Sequence, residues 1–453
     1  MIQRWFKHFV IDIFSSTLKV RWIIRSSLFL LLCSSCPIYA QQEKIIEDLI
    51  SQLTIQEKIS MCHAQSKFTS PGVPRLGIPE LWMSDGPHGI RPEINWGDWG
   101  YANWTNDFVT AFPALTCLAA TFSPELSLEY GTSIGEEARY RKKDILLGPG
   151  VNIYRTPLNG RNFEYMGEDP YLASVLVVPY IKGVQKNGVA ACVKHYALNN
   201  QELWRGHINV HVSDRALHEI YLPAFKAAVV QADVWAIMGS YNKFRNQHCS
   251  HNDLLLNNIL KRSWDFDGVV ISDWGGVHDT NEAIYNGLDI EMGTPPNNII
   301  SKRYPYNSNF LGDPFLNKII KGDVEQSVLD DKVRRILRLM LKTSLRKDRP
   351  FGSINSEQHY ETAYKIASEG IVLLKNTDKF LPINTSKQIT IAVIGENAEK
   401  SMSVGGGSSE LKTDKEISPL FGIRKEFKNA LVKYAKGYSS DPNADNNNLR
   451  KKA

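Results

Sequence analysis

The sequence has little cysteine and little charge of one sign in excess. Six cysteines stand among 453 residues. Cys33 and Cys36 lie together near the N-terminus, whereas Cys62, Cys117, Cys192 and Cys249 are widely spaced. This excludes a small disulfide-stapled domain, and the four dispersed cysteines read as core thiols. Beyond residue 40 no Cys-x-x-Cys pair or His/Cys cluster occurs, so no metal site is expected. Lys and Arg number 53 against 48 Asp and Glu, a net charge of +5. Most of that excess is local: residues 1–40 hold Arg4, Lys7, Lys19, Arg21 and Arg25 against Asp12 alone. Subtracting those five cations and one acid leaves 48 against 47, a nearly neutral body. Nothing in that balance points to nucleic acid. No repeat of 20–50 residues is present. The glycine run at 405–407 is not followed by Gly-Lys-Ser/Thr, which disfavours a nucleotide-phosphate loop. No organic cofactor is implied.

What is present is a folding chain. Hydrophobic residues make up 43% and aromatic residues 10%, which excludes a disordered or collagen-like protein. The length allows about two or three domains. The apolar run SSLFLLLCSSC at residues 26–36 follows Arg21 and Arg25 and precedes Pro37–Gln42. A positive flank, a short apolar core and Ala40 before a polar start form a secretory signal, residues 1–40, cleaved after Ala40. The core is too short to span a membrane. The expected location is periplasmic or secreted; lipid attachment at Cys36 is the alternative.

After the leader, Ile46, Leu49, Ile50 and Leu53 recur at helical spacing. Thr54–Glu57 reads as a capping box, Ser123-Pro124 as a helix start, and a further helix begins near Ser213. Between helices lie short apolar runs: 144–151, 189–195, 234–242 and 268–274. Apolar runs alternating with helices are the pattern of parallel strands buried on both faces. The expected fold is α/β: an N-terminal (β/α)8-type TIM barrel over 41–340. A polar linker with Pro350 and Gly352 follows at 341–357. The pattern then restarts over 358–453 as a partial α/β sandwich domain. It has a helix at 358–369, strands at 371–375 and 389–395, and a helix from about Pro419. The final residues resemble the first turn of an unfinished helix.

Chemically capable residues cluster at the C-terminal ends of the barrel runs, where barrel enzymes place their sites. Asp273 ends the run GVVISD and is followed by Trp274. A carboxylate beside a flat aromatic suits a sugar, since one attacks the anomeric carbon and the other packs on the ring. Asp273 also reads as a helix cap. Lys194 and His195 are consecutive on a strand and should point to opposite faces. Only a distortion would let both reach one ligand. Asp85 in SDGPHG also fits a turn, and Arg161 in GRNFE a solvated loop.

Taken in order, SDGPHGIR, GPGVNIYRTPLNGRNFEYMGEDP, VKHYALNNQE, MGSYN and GVVISDWGG resemble glycoside hydrolase family 3, the β-glucosidase and β-xylosidase group. The resemblance runs from about residue 45 to the last residue and includes VLLKN, IAVIG and GGGSS. It implies that Asp273 is the catalytic nucleophile and Trp274 the aromatic beside it. Asp85, Arg161, Lys194, His195, Arg205 and Tyr241 would bind the non-reducing sugar. The implied reaction is retaining and exo-acting, with release of a β-linked terminal sugar through a covalent glycosyl-enzyme. The charges of Lys194 and Arg161 would keep Asp273 ionised. A second carboxyl group about 5–5.5 Å away would act as acid and base. In the β-glucosidase branch this is a Glu downstream of the GGGSS turn. Glu410 is the best internal candidate; Glu396, Glu399, Glu416 and the barrel residue Glu291 are weaker. The chain is therefore expected to be the N-terminal part of a longer enzyme. A β-xylosidase of the same architecture and a non-catalytic sugar-binding fragment are the alternatives. The branch with a KHFPGHG loop is disfavoured by KHYALNNQE. Linkage and oligomeric state are not legible.

Overall fold

The structure, a computed structural model, describes residues 40–293 and 305–453. The leader core and Cys36 lie outside the described residues. The chain divides into two units, Met1–Thr54 and Ile55–Ala453. In the first, a helix covers residues 40–52, with Ile46 and Ile50 buried at the spacing the sequence suggests.

The second unit begins with helix α1 (Ile55–Met61). A ring of strands follows: β1 (Thr69–Ser70), β2 (Leu81–Asp85), β3 (Ile145–Leu147), β4 (Ala190–Tyr196), β5 (Ala236–Gly239) and β6 (Val269–Ile271). Pairing from β2 through β6 is parallel. Every residue of β3, β4, β5 and β6 is buried. Such strands must be apolar because both faces are covered. The ring closes through single bridges. Ile271 pairs with Ile290, Glu291 with His63, and Gln65 N–H donates to Thr69 O at 2.9 Å. The ring is TIM-barrel-like, but β1 runs antiparallel to β2, so the βα repeat starts irregularly.

Helix α2 (Leu115–Ala120) precedes α3 (Pro124–Tyr140), where the Ser123 hydroxyl accepts the Leu126 N–H as a cap. Helix α3 packs along α4 (Pro170–Gln185). Two glycines make this approach possible. A Cβ on Gly131 would overlap the Tyr180 carbonyl, and one on Gly183 would lie 2.5 Å from Thr132 N. Helix α5 (Pro223–Val230) leads into β5.

Helices α6 (Gln326–Lys342) and α7 (Glu357–Gly370) flank the expected linker. Next come β7 (Thr390–Ile394), α8 (Pro419–Glu426) and β8 (Leu431–Ala435). β7 and β8 pair in parallel, a βαβ unit with Ser418 capping α8. The expected strand at 371–375 does not form; those residues are extended coil. Ile371, Val372, Leu373 and Leu374 are all exposed, and no strand among the described residues pairs with them. A strand exists only through its ladder partner, which residue pattern alone does not supply.

One contact pins α7 to the barrel. His359 is buried, with Nδ1 3.0 Å from Glu137 and Nε2 3.0 Å from Glu136. Burial lowers the His359 pKa, but both carboxylates outweigh it and raise it above the ordinary 6.5. A raised folded-state pKa gives stability that is present below about pH 6.5 and lost as pH rises through the folded value. The thermal midpoint is expected to fall as pH rises above neutrality. His359→Gln should flatten that dependence. An unchanged slope in melts between pH 5.5 and 9 would show that this latch does not control it.

Candidate functional site

All eight residues singled out in the sequence line one cavity of about 590 Å³ at the C-terminal ends of the strands. Asp85 ends β2, Lys194 and His195 belong to the end of β4, and Tyr241 and Asp273 lie two residues beyond β5 and β6. Arg161 sits in the loop between β3 and α4. The expected distortion is present: the pairing of β4 with β5 shifts register between Val193 and Tyr196. Both Lys194 and His195 thereby border the cavity.

The cavity is a network of paired charges. Arg91 Nη1 is 2.9 Å from Asp85 Oδ2. Arg161 grips Glu164 with Nε at 2.5 Å and Nη2 at 3.1 Å, a bidentate pair. Lys194 Nζ lies 3.5 Å from Glu164 and 4.0 Å from Asp85. Burial pushes the Glu164 carboxyl up, but Lys194 and Arg161 outweigh it and hold its pKa at about 2. Burial raises that of Asp85, against the pull of Lys194 and Arg91.

Asp273 stands apart from these pairs. Its Oδ1 accepts the Trp274 N–H at 2.8 Å, while Oδ2 is buried without a hydrogen-bond partner. His195 Nε2 lies 3.8 Å from that oxygen. Burial, together with Arg161, Lys194 and Arg205, drives the His195 pKa well below its usual value. The ring is therefore neutral. Tyr165 Oη is 3.3 Å from Nδ1, a hydrogen bond that orients the ring with Nε2 toward Asp273. The Tyr241 hydroxyl donates to Trp274 O at 3.1 Å, and the Arg205 guanidinium lies 4.3 Å over the Tyr241 ring. Trp274 Nε1 donates to Lys67 O at 2.7 Å, which fixes the indole at the rim against Phe68.

Several contributors were not singled out. Asn152 clamps the His195 backbone, accepting its N–H at 2.8 Å and donating to its carbonyl at 2.9 Å. Glu164, Arg91 and Ser408 were also missed. Asn152 and Glu164 fall inside motifs that were noticed, GPGVN and GRNFE, but one polar residue in a loop carries no partner information. Ser408 donates to Glu164 at 3.1 Å and accepts from Arg161 at 3.1 Å. It reaches them from a turn where Gly406 and Gly407 have φ of 71° and 56°. Gly405 passes close to Phe163, where a Cβ would lie 2.9 Å from the ring. Together these explain the glycine run without any phosphate.

The acid/base candidates do not line the cavity. Glu410 lies beside Tyr101, whose pKa is raised by burial and by that carboxylate. Glu396 is held by Lys400 at 2.6 Å and Lys436 at 3.3 Å, and Glu416 accepts the Ser403 N–H. Glu291 is buried, its pKa raised to about 7 by burial, and it accepts the Leu311 N–H. Among the described residues no group of His, Cys, Asp and Glu could hold a metal ion. No helix among them is long and apolar enough to cross a membrane.

Fold and site together define a TIM-barrel-like protein with paired carboxylates and cations at its strand ends. Comparison with known families is specific. Residues 40–339 match the glycosyl hydrolase family 3 N terminal domain and residues 371–453 the C-terminal domain. The chain belongs to glycosyl hydrolase family 3.

It is 60% identical over 414 residues to beta-glucosidase BoGH3A of Bacteroides ovatus, covering 89% of this chain and 55% of that protein. It is 39% identical over 401 residues to thermostable beta-glucosidase B of Acetivibrio thermocellus, covering 87% and 50%. Beta-glucosidase 3B from Thermotoga neapolitana, solved with alpha-D-glucose, superposes with a TM-score of 0.76 at 32% identity, covering 86% and 55%. The chain thus spans about half the length of the curated relatives it matches.

Proposed function

We propose that this chain carries the sugar-binding and nucleophile-bearing part of an exo-acting, retaining β-glucosidase. One observation carries the reading: Asp273 Oδ2 is a buried carboxylate oxygen without a partner, while the surrounding charges are paired. In this reading Oδ2 attacks the anomeric carbon, and the C1–Oδ2 bond forms as the glycosidic C1–O bond breaks. Water then attacks C1 from the opposite face, which the leaving group vacated; the C1–Oδ2 bond breaks, the water gives up a proton to solvent, and the two inversions give net retention. Asp85, Lys194, Arg161 and His195 hold the hydroxyls of the terminal sugar. Trp274 packs against its ring or the aglycone.

The leaving oxygen needs a proton unless it departs as a stable anion. The carboxylates lining the described cavity are Asp85, Glu164 and Asp273. Asp85 and Glu164 are tied to cations, so neither is a free acid. Fast cleavage by this chain is therefore expected only with activated leaving groups. The names of the relatives favour glucose over xylose, although exo-alpha-(1->6)-L-arabinopyranosidase of Bifidobacterium longum, at 36% identity, shows that family members also take a pentopyranose. With 2,4-dinitrophenyl glycosides, the β-D-glucoside is expected to exceed the β-D-xyloside by about 10-fold or more in kcat/KM. A faster xyloside would overturn the specificity. The proposed location is outside the cytoplasm, on the strength of residues 21–40.

A further inference from the structure

A second cavity, of about 360 Å³, shares no lining residue with the one around Asp273. That volume is within the range of small-ligand sites. Its walls are aromatic: Trp82, Trp104 and Tyr140 line it, with Trp104 48% and Tyr140 47% exposed. Trp96 packs edge-on against Trp82 at 6.1 Å. The hairpin bridge between Ile94 and Tyr101 presents Trp96 there. Single exposed aromatics need no explanation, whereas several rings around one cavity indicate a ligand.

The floor is cationic. Arg141, Lys142 and Lys143 are consecutive and all line the cavity. One carboxylate answers two of them: Glu93 Oε1 is 2.6 Å from Arg141 Nη2 and 2.5 Å from Lys143 Nζ. Lys142 is exposed, beside the two cations that Glu93 holds. Arg141 is buried, and its Nη1 has no hydrogen-bond partner. A buried donor left unpaired is unfavourable, and an incoming acceptor would relieve it. Asn106 adds an amide able to meet a hydroxyl.

We propose that this cavity binds an acidic pyranoside, a uronic acid residue. Its ring face lies on Trp104 and Tyr140, and its carboxylate meets the edge formed by Arg141 and Lys142. Aromatic faces accept the C–H side of a pyranose, and a guanidinium matches a carboxylate. Rings beside cations also suit single-stranded nucleic acid, but that mode needs a charged groove tracking a backbone. Here the cations form one short run at the end of α3, on a nearly neutral body.

The test is calorimetric titration of the full chain with methyl β-D-glucuronide, methyl β-D-glucoside and a 20-mer of thymidylate. With D-glucose saturating the site at Asp273, the glucuronide is expected to bind, and more tightly than the glucoside. Trp104→Ala and Lys142→Gln should each weaken it tenfold or more, while omitting the glucose leaves this Trp104-dependent binding unchanged. Tyr140→Ala replaces Trp104→Ala if the latter melts early. The proposal is overturned by any of four results. These are no glucuronide binding to the wild type under glucose saturation, equal binding of the neutral glycoside there, Trp104→Ala and Lys142→Gln without effect, or tighter Trp104-dependent binding of the oligonucleotide.

Discussion

Asp273→Asn is expected to abolish covalent labelling by a 2-fluoro-β-glucoside and to cut hydrolysis of an activated glucoside by a factor on the order of 10⁴ or more. The wild-type chain should gain the mass of one fluoroglycosyl group, on the peptide containing Asp273. Intact mass spectrometry followed by peptide mapping reads both outcomes. The substitution is nearly isosteric, and the side-chain oxygen can still accept the Trp274 N–H that Oδ1 now accepts. Folding should therefore be preserved, and the loss should fall on chemistry. What disappears is the second oxygen, which no protein donor neutralises. A neutral amide does not displace an aglycone. A label on another residue, or full activity in the variant, would sink the nucleophile assignment. Glucose binding without any label in the wild type would favour a sugar-binding protein.

Much of this site was visible in the sequence because barrel strands end where chemistry begins. Asp85, Lys194, His195, Tyr241 and Asp273 each follow an apolar run, and run ends converge once the strands are parallel. The failures have one cause in common, which is that a residue pattern does not name its partner. Strand alternation sends Lys194 and His195 apart; only the register shift beside β5 reconciles them. Residues 371–375 have strand composition but no ladder. Glu410 stands next to the GGGSS turn in sequence, yet its carboxylate does not line the cavity and lies beside Tyr101, more than 300 positions away. The ring closure uses His63 and Glu291, each a single bridge too short to register as a strand. Glu164 is paired with Lys194, thirty positions on, a partner its GRNFE loop does not name.

Glu164→Gln is expected to do the most damage to stability. Around the sugar site Arg91, Arg161, Lys194 and Arg205 stand against Asp85, Glu164 and Asp273, and Arg205 is answered by Glu202 at 2.6 Å. Removing one carboxylate leaves a buried positive charge uncompensated. Breaking a buried pair from one side costs about 3–5 kcal/mol, because the survivor cannot return to water. The glutamate also carries Ser408, so the glycine turn should loosen and become the first site of protease cleavage. The pH dependence has a definite sign. The Glu164 pKa is depressed from 4.5 to about 2, so its contribution is present above about pH 4.5 and is lost as pH falls toward 2. Urea titrations should show the full gap between wild type and variant at pH 7, narrowing only in that acidic window. The double variant Glu164→Gln with Lys194→Met separates charge balance from packing. It removes one cation with the carboxylate, so its loss should be smaller than the sum of the two single losses by about 0.5–3 kcal/mol. Strict additivity would mean that Glu164 acts through shape alone, and the network would then be three independent pairs.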